Sequence, residues 1–131
     1  MKIECIAQCL TDDLMKSFGV SYPKNQDYHV SIGRTYTVYG LDFVSSETLH
    51  LCYVYYVNDY GHLSSSPLSL FKITDERPSS IWVTRMLNQE IVAIRPPSFF
   101  QEYYLDDLSE GIKETVNDFE EVKTLIESEF S

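Results

Sequence analysis

The sequence predicts an α+β domain: a strongly bent antiparallel sheet of about five strands, of SH3-like barrel type, closed by C-terminal helices. Three observations carry this expectation. Runs rich in Tyr, Val, Ile and Thr fill much of residues 28 to 95, Pro96-Pro97 cuts them off, and from Ile112 the apolar residues recur at steps of four and three. With 131 residues, 44% hydrophobic and 14% aromatic, the chain holds enough apolar surface for a core. It reads as one domain over residues 1 to 131, mainly β to residue 97 and helical from residue 98.

The elements follow in order. KIECIAQ (residues 2–8) reads as a first strand, and LTDDLMKSFG (10–19) as a short helix with Thr11 as N-cap and Gly19 as stop. YHVSIGRTYTVYGLDF (28–43) breaks at Ile32-Gly33-Arg34, resumes, and turns through Ser45-Ser46-Glu47 into TLHLCYVYYVND (48–59). These two runs predict an antiparallel hairpin. In the second, Leu49, Leu51, Tyr53, Tyr55 and Val57 alternate with His50, Cys52, Val54 and Tyr56, so both faces are largely apolar and the strand should be central.

Leu68 to Thr74 reads as a strand, followed by a polar turn at Pro78. IWVTRMLNQEIVAIR (81–95) reads as a second hairpin turning around Leu87-Asn88-Gln89. Beyond the prolines, Ser98 and Gln101 have the spacing of a capping box, which predicts a helix to about Asp107 with Phe99, Phe100 and Tyr103 facing inward. Gly111 interrupts it. Ile112, Val116, Phe119, Val122, Ile126 and Phe130 then mark the buried stripe of a long final helix.

Charge narrows the functional classes. Residues 101–131 carry ten Asp/Glu against two Lys, whereas residues 1–100 carry ten against eight Lys/Arg. A net charge of −10 disfavours nucleic acid and anionic membrane surfaces, and it favours a basic protein partner. No run is long and apolar enough to span a bilayer, and the start MKIECIAQCLTDDLMK lacks a signal-peptide core, so the chain reads as cytoplasmic.

Cys5, Cys9 and Cys52 form no ligand or redox spacing and read as structural thiols. His29, His50 and His62 fall in no metal motif, so no cofactor or metal is expected. The paired acids Asp12-Asp13, Asp75-Glu76, Asp106-Asp107 and Glu120-Glu121 lack the alternation of a calcium loop and read as solvated surface. No nucleophile elbow or phosphate loop is present, and no catalytic residue is assigned.

The acidic helix is more specific. Glu110, Glu114, Asp118 and Glu121 fall at steps of four and three, a like-charge stripe that costs a few tenths of a kcal/mol per pair. With Asp106 and Asp107, and with Tyr103 and Tyr104 as aromatic anchors, it forms a candidate surface for a basic partner. A plain solvated helix face is the alternative for the stripe. For the whole chain, the rival is a small hydrolase or metal-dependent enzyme with its site on the Tyr/His-rich strands.

IGRTYTVYGLDF, then SPLSLFKITDERPSSIWV, then an acidic helical tail resemble immunity proteins of bacterial toxin systems such as contact-dependent growth inhibition. The matched positions are Gly33, Tyr36, Val38, Tyr39, Gly40, Pro67, Leu70, Phe71, Ile73, Asp75, Arg77 and Trp82, and the likeness covers about residues 30 to 130. It implies binding rather than catalysis, with a cognate toxin domain as partner. A basic nuclease toxin would accept an acidic neighbour as a nucleic-acid mimic.

Overall fold

The computed structural model describes residues 1–10, 26–47 and 50–129. Within them the order is β1 (Lys2–Cys5), β2 (Thr35–Thr37), β3 (Gly40–Ser45), β4 (His50–Val57), β5 (Leu63–Pro67), β6 (Phe71–Asp75), β7 (Val83–Leu87), β8 (Ile91–Arg95), α1 (Tyr104–Ser109) and α2 (Lys113–Glu129). Short 3-10 turns occupy Leu68–Leu70 and Pro97–Phe100. The strands form two antiparallel sheets, ordered β2-β1-β6 and β5-β4-β3-β8-β7.

The α+β class therefore holds, but the strands do not close into an SH3-like barrel, and eight of them replace the expected five. The cause is a corner at Val38-Tyr39. The run expected as one strand divides there, with β2 pairing to β1 and β3 pairing to β4 and β8. Val38 N–H donates to the Met1 carbonyl at 3.0 Å, and the next amide, Tyr39 N–H, donates to Tyr55 at 2.8 Å. Their side chains part in the same way, Val38 into one core and Tyr39 into the other.

The large sheet is the wall between these cores. Strand β4 sends Val54 and Tyr56 toward the small sheet, where they meet Ile3, Tyr36 and Phe71, and sends Tyr55 and Val57 toward the helices. Lying between β3 and β5, it is the two-faced central strand that its alternation predicts. The Tyr56 ring sits edge-on to Phe71 at 5.2 Å and to Tyr36 at 5.5 Å, contacts of about 0.5–1.5 kcal/mol each beyond area burial.

Strand β5, LSSSP, lacks the β-branched and aromatic residues that mark the other strands. Pairing holds it: five residues register against β4, and the buried Ser66 hydroxyl shares a 2.6 Å hydrogen bond with Tyr56. Leu68–Leu70, expected as strand, is a 3-10 turn that leads into β6. The β7–β8 hairpin forms as expected, with Asn88 left-handed at φ 52° and its side chain accepting from Glu90 N–H at 2.8 Å.

At the C-terminal side no capping box forms at Ser98. Pro97, which needs no amide partner, opens a 3-10 turn instead, and Gln101 leaves it in extended conformation. The chain then turns through Tyr103 at φ 62° into α1, with no side-chain cap. Gly111 ends that helix at φ 76°, with Gly111 and Ile112 N–H returning to Leu108 and Asp107. On α2, Phe119, Val122 and Ile126 are buried and Val116 half-buried, whereas Ile112 is exposed. Phe130 and nearly all of the helix expected at 10–19 lie outside the described residues. Among the described residues no helix is long and apolar enough to cross a membrane.

Candidate functional site

Packing divides the acidic residues of the C-terminal segment into two groups. Three of them bind the fold. The Tyr104 hydroxyl donates to Asp118 at 2.7 Å and the Tyr39 hydroxyl to Glu127 at 3.0 Å, while Glu129 accepts from Ser79 Oγ, Ser80 N–H and Ser80 Oγ at 3.0–3.2 Å. Burial, reinforced by the adjacent carboxylates, raises the pKa of both tyrosines.

The other seven, Glu102, Asp106, Asp107, Glu110, Glu114, Glu120 and Glu121, have no hydrogen bond or ion pair from their side chains among the described residues. Four basic residues are engaged elsewhere: Arg34 pairs with Asp59, Lys72 with Glu4, Arg77 with Asp75 and Arg95 with Asp42. All but the half-buried Asp107 are exposed. The helices thus carry negative charge that the fold leaves unneutralised.

The expected surface changes accordingly. Tyr103 is 65% exposed rather than inward, held out by its left-handed backbone. Tyr104 is 3% exposed and lies against Phe99 at 4.8 Å, so it belongs to the core. Asp118 belongs to the joint between α1 and α2, which interrupts the stripe that Glu110, Glu114 and Glu121 continue. Glu102 and Glu120 join the free group: Glu102 lies before the first helix, and Glu120 falls off the four-and-three spacing of the stripe.

Beside Tyr103 opens a cleft of about 340 Å³ lined by Tyr55, Arg95, Phe99, Glu102, Tyr104, Leu105 and Asp106, among others. Its inner wall is a buried network. Arg95 donates through Nε and Nη2 to the two Asp42 oxygens at 2.8 and 2.6 Å, and the Tyr55 hydroxyl donates to the same carboxylate at 2.7 Å. The guanidinium also lies 5.2 Å over the Tyr55 ring and 5.3 Å over Phe100. Burial, then the Asp42 bond, holds the Tyr55 hydroxyl protonated well above its ordinary range. Asp42 matches the charge of Arg95, so Glu102 and Asp106 are the unmatched charges on the cleft. Aromatic walls with carboxylates are suited to a cationic side chain.

The Tyr/His-rich strands bring together less. His50 Nδ1 and Ser45 Oγ share a 3.0 Å hydrogen bond on an exposed strand end, with no carboxylate bonded to that imidazole among the described residues. Burial raises the Cys52 thiol to about 11, so it stays protonated at neutral pH. His29 stacks on Tyr60 at 4.4 Å and lies 3.3 Å from Asp27. Among the described residues no group of three or more His, Cys, Asp or Glu is arranged to hold a metal ion.

The positions that carry the resemblance serve the fold. Tyr36, Val38, Tyr39, Leu70 and Phe71 are buried, Arg77 clamps Asp75 through two side-chain bonds, and a Cβ on Gly40 would meet the Ile94 carbonyl at 3.2 Å. Comparison of the chain with family models, curated proteins and solved structures yields no match. The likeness to immunity proteins rests on those residues alone.

Proposed function

We propose that this chain is an immunity protein that binds and neutralises a cognate basic toxin in the cytoplasm, the toxin being a nuclease by class. One observation carries the reading: seven carboxylates on and around the C-terminal helices have no partner among the described residues, and an exposed Tyr103 stands beside an acid-edged aromatic cleft. Like charges held together without compensation cost stability, and a basic partner recovers that cost. Tyr103 is the anchor, Glu102 and Asp106 receive a lysine or arginine at the cleft, and Glu110, Glu114, Glu120 and Glu121 steer the encounter. The resemblance to immunity proteins supports the same class independently, and a nuclease, basic where it holds phosphates, is the toxin this surface fits.

The test is binding to the product of the adjacent gene, measured by stopped-flow mixing at two ionic strengths. Association should slow as salt rises while dissociation changes less, because surface charge acts mainly on encounter. Glu102→Gln with Asp106→Asn should weaken the complex by about tenfold to a hundredfold, as expected for loss of partly desolvated charge pairs. An adjacent product that does not bind, or affinity unchanged by these substitutions and by salt, would refute the reading.

A further inference from the structure

A second cleft, of about 380 Å³, opens between α1, α2 and the turn that joins β4 to β5. Its lining is mostly apolar, with Val57 and Leu63 from the strands and Leu108, Val116 and Phe119 from the helices. Val57, Leu63 and Leu108 pack against the helical core yet stay half-buried, because each keeps one side on the cleft. The walls are fixed in the free chain. In the turn, the buried Asn58 donates through Nδ2 to Ser64 Oγ at 2.9 Å, and its Oδ1 accepts from the Tyr60 and His62 N–H groups at 3.0 and 3.1 Å. The Tyr104–Asp118 bond holds α1 to α2. A preformed cleft of this kind spends little ordering entropy when it is filled. Leu105, 40% exposed, lines both this cleft and the one beside Tyr103, so the two are neighbours.

We infer that this cleft takes one branched apolar side chain from the basic partner, while a lysine or arginine of the same surface enters the Tyr103 cleft across Leu105; the inference rests on the toxin reading and adds the chemistry of what the toxin presents. Charge selects this occupant. The lining balances one carboxylate, Glu120, with one ammonium, Lys123, beside the His62 imidazole, and so favours neither sign inside. Around it stand carboxylates with no partner among the described residues: Asp106 follows Leu105, Glu110 follows Ser109 of the lining, and Glu114 lies two residues before Val116. What enters is therefore neutral and apolar, and the surface that carries it is basic. An apolar anchor in a preformed pocket, ringed by charges that act on encounter, is the usual division of labour in an interface.

Methyl NMR of the full chain titrated with isopentylamine, a branched apolar body bearing one ammonium, tests the site directly. Saturable shifts are expected at the methyls of Val57, Leu63, Leu108 and Val116, and Ser109→Trp, whose indole fills the cleft, should abolish them. Isovalerate, the same body with a carboxylate, should bind more weakly. Absence of saturable shifts overturns the inference, and so does isovalerate bound as tightly as the amine, which would assign the cleft to a small apolar acid held by Lys123. Against the product of the adjacent gene, Ser109→Trp should weaken the complex by about tenfold or more through faster dissociation, with association little changed because no charge is altered. Near-UV circular dichroism of the variant should match the parent. A product that binds parent and variant alike overturns this inference and leaves the toxin reading standing, whereas a product that binds neither refutes that reading as well.

Discussion

The Tyr104 hydroxyl donates to the Asp118 carboxylate over 2.7 Å, tying α1 to α2 with two residues from the most acidic stretch of the chain. Negative charge in this segment therefore serves two ends, holding helices and facing outward. Tyr104→Phe should cost about 1 kcal/mol in urea unfolding, the usual net value of a hydrogen bond. Asp118→Asn keeps an acceptor and should cost less. Glu114→Gln, with no partner to lose, should leave stability unchanged or slightly higher; a loss as large as that of Tyr104→Phe would show that Glu114 also has a structural role.

Salt should stabilise the free protein. Residues 101–131 carry eight more negative than positive charges, and seven of the carboxylates lack a partner among the described residues, so screening relieves repulsion. The melting temperature should rise between low and physiological ionic strength. Replacing Glu110, Glu114 and Glu121 together by Gln should shrink that rise, and a melting temperature that falls with salt would show that repulsion among these carboxylates does not limit stability.

The Asp42–Arg95 pair, with side chains 11% and 15% exposed, should be costly to break and cheap to replace. Arg95→Met alone leaves a buried carboxylate with only Tyr55 as partner among the described residues and should destabilise by about 3–5 kcal/mol, whereas Asp42→Leu with Arg95→Met should recover most of it. A double-mutant cycle in urea measures the coupling. Strictly additive losses would mean that the two groups act independently.

Alkaline pH should unfold the chain. Burial, first among the causes, raises Tyr36 and Tyr56 to about 12 and also moves Tyr28, Tyr39, Tyr55 and Tyr104 upward. Unfolded tyrosines lose their protons near about 10. Above that pH the unfolded state binds fewer protons than the folded one, so the stability present below pH 10 declines as pH rises toward 12 and beyond. Tyrosinate absorbance from these residues should grow together with loss of near-UV circular dichroism; absorbance that completes first would refute the coupling.

Tyr103 holds a left-handed backbone that costs a non-glycine residue on the order of 1 kcal/mol. Tyr103→Asn, a residue that tolerates this conformation, should leave the free protein as stable or more so while weakening the proposed toxin complex. A stable variant with parental affinity would remove Tyr103 from the interface and leave the acidic residues to carry it alone.

Much of the fold was legible because its signals are local. The alternation of apolar residues along β4, the turn at Asn88, the stop at Gly111 and the stripe of Phe119, Val122 and Ile126 each depend on neighbours within one or two turns of chain. The free charge was legible in the same way, as a count of carboxylates against lysines.

The division of one expected strand at Val38-Tyr39 was not legible, because it is set by partners at Met1 and Tyr55. Nor was β5, a serine strand that exists by pairing with β4. The site shows the same boundary most clearly at adjacent residues. By itself the sequence determined that Tyr103 and Tyr104 stand in an acidic helical segment, since composition and period are properties of the chain alone. Only the tertiary structure decided that Tyr103 is exposed and Tyr104 buried, and that Asp118, Glu127 and Glu129 are bonded where seven other carboxylates are free. Those outcomes depend on which distant hydroxyls and rings are brought alongside, and no local pattern records that.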